Sequence, residues 1–247
     1  GFMIDIMYLV MGMLASFLAS SNISTLSATE IFKTLNEGNI FVLTLGYLLY
    51  FYFGIISAFM GLGGDSQILQ IGSGVGGGLL GIVIVIIAGV VLLFAFFKIF
   101  WLLLKTYVTV LLQIALGPIQ ILLGTITPFG GFGAWLKGLA GNLAIYPVVG
   151  FMYVLSYFFL AQAYSEVFPP VSFSFFHFPF GINAATLSST STWSPPMTLG
   201  GMLGLLWLGA SLVILTLIPK TAEIIQGAIS GKPFAFGTAI GESVTSP

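Results

Sequence analysis

Side chains able to do chemistry are few and scattered in this chain of 247 residues. It has one histidine, His177, no cysteine and seven acidic residues. A lone histidine cannot build a metal centre, and the flanking Phe175, Phe176 and Phe178 make it part of an aromatic patch. Without cysteine, disulfide, thiol and thiolate-metal chemistry are excluded. No Ser/His/Asp set, carboxylate pair or H-x-x-x-H spacing is present, so the expectation is a non-enzyme without catalytic, cofactor-binding or metal-binding residues. Gly72, Gly74 and Gly77 match G-x-G-x-x-G. The dinucleotide reading needs a preceding strand and a crossover unit, and neither is indicated.

The remaining polar side chains sit in or beside apolar runs. Gln113 and Gln162 are two of these. Such groups tie helices together or line a path. The only basic residues are Lys33, Lys98, Lys105, Lys137, Lys220 and Lys232. Lys98 and Lys105 interrupt a long apolar stretch and are expected to snorkel toward headgroups, making membrane lipid a partner. No ionisable group is stranded at mid-membrane, which argues against a proton- or ion-coupled pump. No basic patch is large enough for a stable nucleic-acid site.

Elements that could position these residues must live in lipid. The chain is 58% hydrophobic and 5% charged, against about 25% charged in soluble domains. Its apolar runs match the roughly 20 residues of a membrane-crossing helix. The expected class is an all-α, polytopic transmembrane protein forming a single membrane domain over 1–247. Spans are expected near 3–19, 40–60, 79–98, 143–161 and 198–218. Between the third and fourth lies segment 106–141, expected to be broken or re-entrant because Pro118, after Gly117, lacks an amide hydrogen. Within it, 128–141 reads as a loop carrying Trp135 and Lys137. Ser27-Ala-Thr-Glu30 is a capping-box pattern opening a short amphipathic helix over 28–36. Segment 164–197, rich in Phe and lacking lysine, reads as an outer lid or assembly surface. The polar tail is 219–247. The chain opens on Gly1, which suggests processing or a longer precursor, and 4–19 lacks a basic n-region.

Basic residues concentrate on the cytoplasmic side. All six lysines share one side if 106–127 enters and leaves by the same face. That threading puts the N-terminus and 164–197 outside, the C-terminus inside, and shelters 106–141 behind neighbouring helices or subunits.

Two stretches carry a family resemblance. One runs from Leu104-Lys105 through Gln113 to Gly117-Pro118, with Thr127-Pro128, Trp135, Lys137 and Tyr146-Pro147. The other runs from Pro219-Lys220 to Gly231-Lys232-Pro233-Phe234 and Gly241-Glu242. Together they resemble the TrbL-type inner-membrane channel proteins of bacterial type IV secretion and conjugal transfer systems, in the short form of candidate-phyla bacteria. Lys105 stands where that family usually has arginine, and Gly117 where serine is common. The resemblance covers about residues 79–242. It implies about five spans, an outside N-terminus and an inside C-terminus in the bacterial inner membrane. It also implies a passive role beside other secretion-system subunits and ATPases, in an apparatus exporting DNA or protein.

The expected function is therefore a structural or channel subunit of such an apparatus, present as a homo-oligomer. Gly117, Pro118 and Trp135 would shape the broken segment, and Lys98, Lys105 and Lys137 would anchor it. The alternative is a solute transporter or small channel gated by that segment.

Overall fold

The computed structural model describes residues 2–20, 27–38, 40–60, 75–126, 131–167 and 203–231. The glycine-rich motif at 72–77 (apart from the helical backbone of 75–77), His177 with the rest of the aromatic loop beyond 167, and the tail from Lys232 lie outside the described residues. Regular structure among the described residues is entirely helical. The helices are α1 Phe2–Ser20, α2 Ala28–Glu37, α3 Ile40–Met60, α4 Val75–Ile126, α5 Gly131–Leu143, α6 Ile145–Val167 and α7 Leu203–Ser230.

Four stretches are long and apolar enough to cross a membrane: Phe2–Ser20, Ile86–Leu122, Gly131–Tyr164 and Leu206–Ser230. A shorter apolar stretch, Val42–Phe53, lies in α3. In helices of this composition every backbone donor and acceptor is satisfied within the segment, which is what lipid demands. The one helix built on a different plan is α2, whose apolar residues are confined to one face. Ser27 caps it: its hydroxyl accepts from the Glu30 amide, while the Glu30 carboxylate accepts from the Ser27 amide at 2.9 Å. That amide bond first, and then a bond donated by the Ser27 hydroxyl to the same carboxylate at 2.8 Å, hold the exposed Glu30 carboxyl below its ordinary range.

Several boundaries differ from those read in the sequence, among them the end of α6, which runs on to Val167 and so into the segment from 164 that reads as the outer lid. α4 continues through Gly117-Pro118 as one helix of 52 residues, so the break expected at that pair is not found; residues 127–130 lie outside the described residues. Pro118 removes a single hydrogen bond, a loss that a long apolar helix absorbs. Gly131–Leu143, read as glycine-rich loop, is helical. Its glycines permit close approach to neighbouring helices rather than breaking the chain. α7 likewise passes through Pro219 and ends at Ser230. Leu215, Ile218 and Ala222, all fully buried, carry one packed face across the proline. Gly231 then terminates the helix at φ 72°, a backbone region that costs other residues dearly. Among the described residues, a proline marks a boundary only between α5 and α6. Pro147 cannot donate to the Leu143 carbonyl, yet Ala144 N–H reaches Ala140 O at 3.0 Å and Val148 N–H reaches Ala144 O at 3.3 Å, so the helical path is nearly continuous.

The chain forms two compact units. The first contains Gly1–Val10, Lys98–Gly150 and Leu217–Pro247; the second contains Met11–Phe97 and Phe151–Thr216. In the first, the end of α4 and all of α5 form an antiparallel hairpin. A Cβ on Gly124 would overlap the Gly131 backbone, and one on Gly138 would lie 3.2 Å from Gln113 Nε2. Val110, Leu139 and Leu143 form its core, and Met3, Met7 and Trp135 pack against them.

The second unit is organised around tyrosines. Thr44 and Tyr153 hydroxyls are 2.8 Å apart. Tyr157 donates to Leu43 O, and Tyr164 to Tyr50 O. Partners advance together along both helices, so α3 and α6 run parallel. Tyr47 bonds Ser211, and Ser156 donates to Ser211 O at 3.0 Å. With Phe159 tilted against Trp207, ring centroids 5.3 Å apart, these contacts make α7 antiparallel to α6.

Candidate functional site: an amide chain and an indole in the α4–α5 hairpin

Polar groups in an apolar helix must find partners on other helices, because lipid offers none. In the first unit three amide side chains do so in series. Gln226 Nε2 donates to Asn142 Oδ1 at 2.6 Å, and Asn142 Nδ2 donates to Gln113 Oε1 at 2.9 Å. The chain thus links α7 to α5 and α5 to α4. Asn142 is its centre and is buried. Gly141 allows the approach: a methyl group there would lie 3.0 Å from Gln226 O and 3.3 Å from Ser230 Cβ. Ser230 closes the end of α7 by donating to Gln226 O at 2.7 Å.

Beside this chain, Trp135 Nε1 donates to the backbone oxygen of Gln113 at 2.9 Å. The indole lies flat against Gly117. A Cβ at 117 would fall 3.0, 3.2 and 3.3 Å from three indole atoms. Gly117 is therefore a seat for an aromatic ring, and the Gln113 carbonyl receives a second donor one turn before Pro118. Three of the residues picked out in the sequence, Gln113, Gly117 and Trp135, meet at one place, with Pro118 adjoining it.

The others do not join them. Lys98, Lys105 and Lys137 are exposed. So is Lys220, and all four belong to the first unit. Lys33 belongs to the second, where it lies 3.9 Å from Glu37 in an exposed pair of little energetic weight. Gln162 is buried in the second unit, so the two glutamines serve separate units. Met3 and Met7 bring the start of α1 against Val110 and Leu143. Those residues lie at the end of the hairpin that carries Lys105.

Asn142 and Gln226 escape the sequence reading because Asn142 falls between the loop read to 141 and the span read from 143, and Gln226 lies in the tail read from 219. The buried series Leu215, Ile218, Ala222 was the available signal, since its helical spacing leads on to Gln226. Tyr153 and Tyr157 are likewise hidden in a segment that reads simply as apolar, and Tyr164 in the segment that reads as the outer lid, although their spacing of four and seven puts them on one helix face.

Neutral amides neither gain nor lose protons at physiological pH, so this cluster can hold helices together or offer hydrogen bonds to a passing group, but cannot drive proton coupling. Among the described residues no three metal-ligating side chains come together. The fold and this site define a polytopic helical membrane protein whose hairpin is fixed by polar bonds. No protein family, curated protein or solved structure matches the chain.

Proposed function

We propose that the protein is an inner-membrane structural and channel-forming subunit of a type IV secretion or conjugation apparatus, assisting export of DNA or protein. The observation that carries this reading is the convergence of Gln113, Gly117 and Trp135 on one tied hairpin. These are the motif residues behind the resemblance to TrbL-type channel proteins, and their packing gives them a shared task. The role is passive. The amide chain fixes the hairpin as a rigid element against which other secretion-system subunits, their ATPases or the exported polymer can bear.

The orientation proposed is C-terminus inside, with Lys98, Lys105, Lys137 and Lys220 at the cytoplasmic face. Parallel α3 and α6 with antiparallel α7 support the relative directions that this threading requires. The packing of Met3 and Met7 near the Lys105 end of the hairpin favours an N-terminus on the same face, in place of the outside N-terminus expected from lysine placement alone. α1, a single unbroken helix, would then lie along that face instead of crossing.

Two measurements test the function. A photo-crosslinking residue at Phe132, exposed on α5, should capture other membrane subunits of the secretion apparatus in cells. Proteoliposomes containing the protein alone should show no solute flux. Autonomous, saturable flux would establish the transporter reading and remove this one.

A further inference from the structure

The first half of α1 turns two side chains inward. Across residues 2–10 only Met3 and Met7 are not exposed. They stand four residues apart, so they share one side of the helix. Both pack against Val110, Leu139 and Leu143, with Trp135 beside them. Every member of this cluster belongs to the first unit. The contact is made by thioethers, which adapt to an irregular surface. Methionine is also the only sulfur-bearing residue of this cysteine-free chain.

Position separates these two from the other methionines of α1. Met11, next on the same face, is 5% exposed and shielded, whereas Met13 is 64% exposed on the outward side. Met3 and Met7 are partly buried, open enough to meet a small oxidant and covered enough for a change in polarity to be felt. Oxidation converts an apolar thioether into a polar sulfoxide, whose oxygen needs a hydrogen-bond donor. The cluster has none to give. Val110, Leu139 and Leu143 end in hydrocarbon, and Trp135 Nε1 is committed to Gln113 O at 2.9 Å. A sulfoxide kept in this cluster leaves its oxygen unpaired in apolar surroundings, which is costly. Moving the start of α1 outward relieves that cost.

We propose that Met3 and Met7 form an oxidation site that controls the docking of α1 on the α4–α5 hairpin. The oxidant is hydrogen peroxide, which is small and uncharged and so reaches sulfur beside lipid. A sulfur lone pair attacks one peroxide oxygen, and the O–O bond breaks as the S–O bond forms. The proton of the transferred oxygen passes to the other oxygen, which leaves as water. The thioether loses two electrons and the peroxide gains them. With both sulfurs oxidised, the two inward side chains of residues 2–10 are polar, and the apolar core at Val110, Leu139 and Leu143 loses its cover. The inference stands apart from the secretion reading, because a transporter could carry the same device.

The absence of native cysteine allows two engineered ones to be labelled cleanly. Ile6→Cys on α1 and Phe132→Cys on α5, both exposed and both in the first unit, take nitroxide labels before the full chain, held in nanodiscs, meets peroxide. The dose is set by complete oxidation of Met13, and peptide mass spectrometry follows oxygen gain at each methionine. Pulsed electron paramagnetic resonance should give one narrow distance distribution before treatment and a broad one after it. The undocked fraction should rise on the order of tenfold for each sulfoxide at position 3 or 7. Met3→Leu combined with Met7→Leu should stay docked at the same dose, and Met3→Gln combined with Met7→Gln should be undocked without peroxide. An unchanged distribution with both sulfoxides formed overturns the proposal, as does a lack of oxidation at Met3 and Met7 once Met13 is complete. Wild-type-like broadening in the leucine pair, or a docked glutamine pair, overturns it too. If the leucine pair fails to dock before treatment, the wild-type time course decides, and broadening that tracks Met13 instead of Met3 and Met7 is the contrary result.

Discussion

The seat of Trp135 on Gly117 can be tested by adding one methyl group. Gly117→Ala would put Cβ 3.0 Å from Trp135 Nε1, with two further indole atoms within 3.3 Å. Comfortable contact is about 3.6 Å, so the ring must retreat by about 0.5 Å. That movement stretches the 2.9 Å bond from Nε1 to Gln113 O toward the limit of useful geometry. The lost bond is worth about 0.5–1.5 kcal/mol, and overpacking against a rigid ring adds about 1–3 kcal/mol. Against these stands a gain of about 1 kcal/mol, because alanine favours helix over glycine. The net expectation is destabilisation by about 1–2 kcal/mol.

The sign should reverse when the indole is removed. In a Trp135→Ala background the added methyl group meets open space, and only the helix-propensity gain of about 1 kcal/mol remains. A double-mutant cycle should therefore give a coupling of about 2 kcal/mol. The assay is reversible unfolding in mixed micelles titrated with denaturing detergent and followed by circular dichroism. Equal effects of Gly117→Ala in both backgrounds would refute the packing argument, as would stabilisation by Gly117→Ala with Trp135 intact.

Asn142→Leu should destabilise the protein by about 1–3 kcal/mol, because it strands the Gln113 oxygen and the Gln226 amide together; the same micelle titration measures it, and Asn142→Gln should recover little because the longer arm cannot occupy the same gap. Glu30 has a depressed folded-state pKa, so its capping contribution is complete above its ordinary value of 4.5 and fades as pH falls through the lower folded value; the protection of amides at the start of α2, taken relative to their intrinsic exchange rates at each pH, should fall on acidification, and Glu30→Gln should flatten that response. Single cysteines replacing Phe2 and Lys105 should both resist a membrane-impermeant thiol reagent added to intact cells and both react after permeabilisation. Labelling of Lys105→Cys from the periplasm would overturn the threading, and labelling of Phe2→Cys alone would return α1 to a full crossing.

Composition and apolar run length were sufficient to assign the helical class, because a helix is the only way for a single apolar segment to satisfy its own backbone in lipid. The capping box at Ser27 was legible for a similar reason: both bonds are made within four residues. Proline was the misleading signal. Pro118 reads as a break and Pro219 as the start of a tail, yet each lies inside a helix, and among the described prolines only Pro147 coincides with a boundary. The glycines of 131–141 misled in the opposite sense. Their composition resembles a loop, but Gly138 and Gly141 serve the close approach of helices carrying Gln113 and Gln226. That purpose depends on residues about 25 and 85 positions away, which local patterning does not register.

The same reasoning explains why the amide chain was half visible. Gln113 stood out because it interrupts an apolar helix, where an unpartnered amide is costly. Asn142 stands at the junction of the glycine-rich loop and the next span, and Gln226 in the polar tail, two places where an amide needs no explanation. Once α5 and α7 are known to continue as helices, the argument runs the other way. An amide in mid-helix must have a partner, and three amides from three helices can meet their needs only by bonding in series. The series has direction as well as connectivity. Gln226 donates to Asn142, which donates to Gln113, so changing the centre disturbs both ends, whereas changing Gln226 leaves the bond between Asn142 and Gln113 intact. The expected rank of destabilisation is thus Asn142→Leu above Gln226→Leu. Gln226→Leu as damaging as Asn142→Leu would mean that the three residues do not form this chain in the membrane.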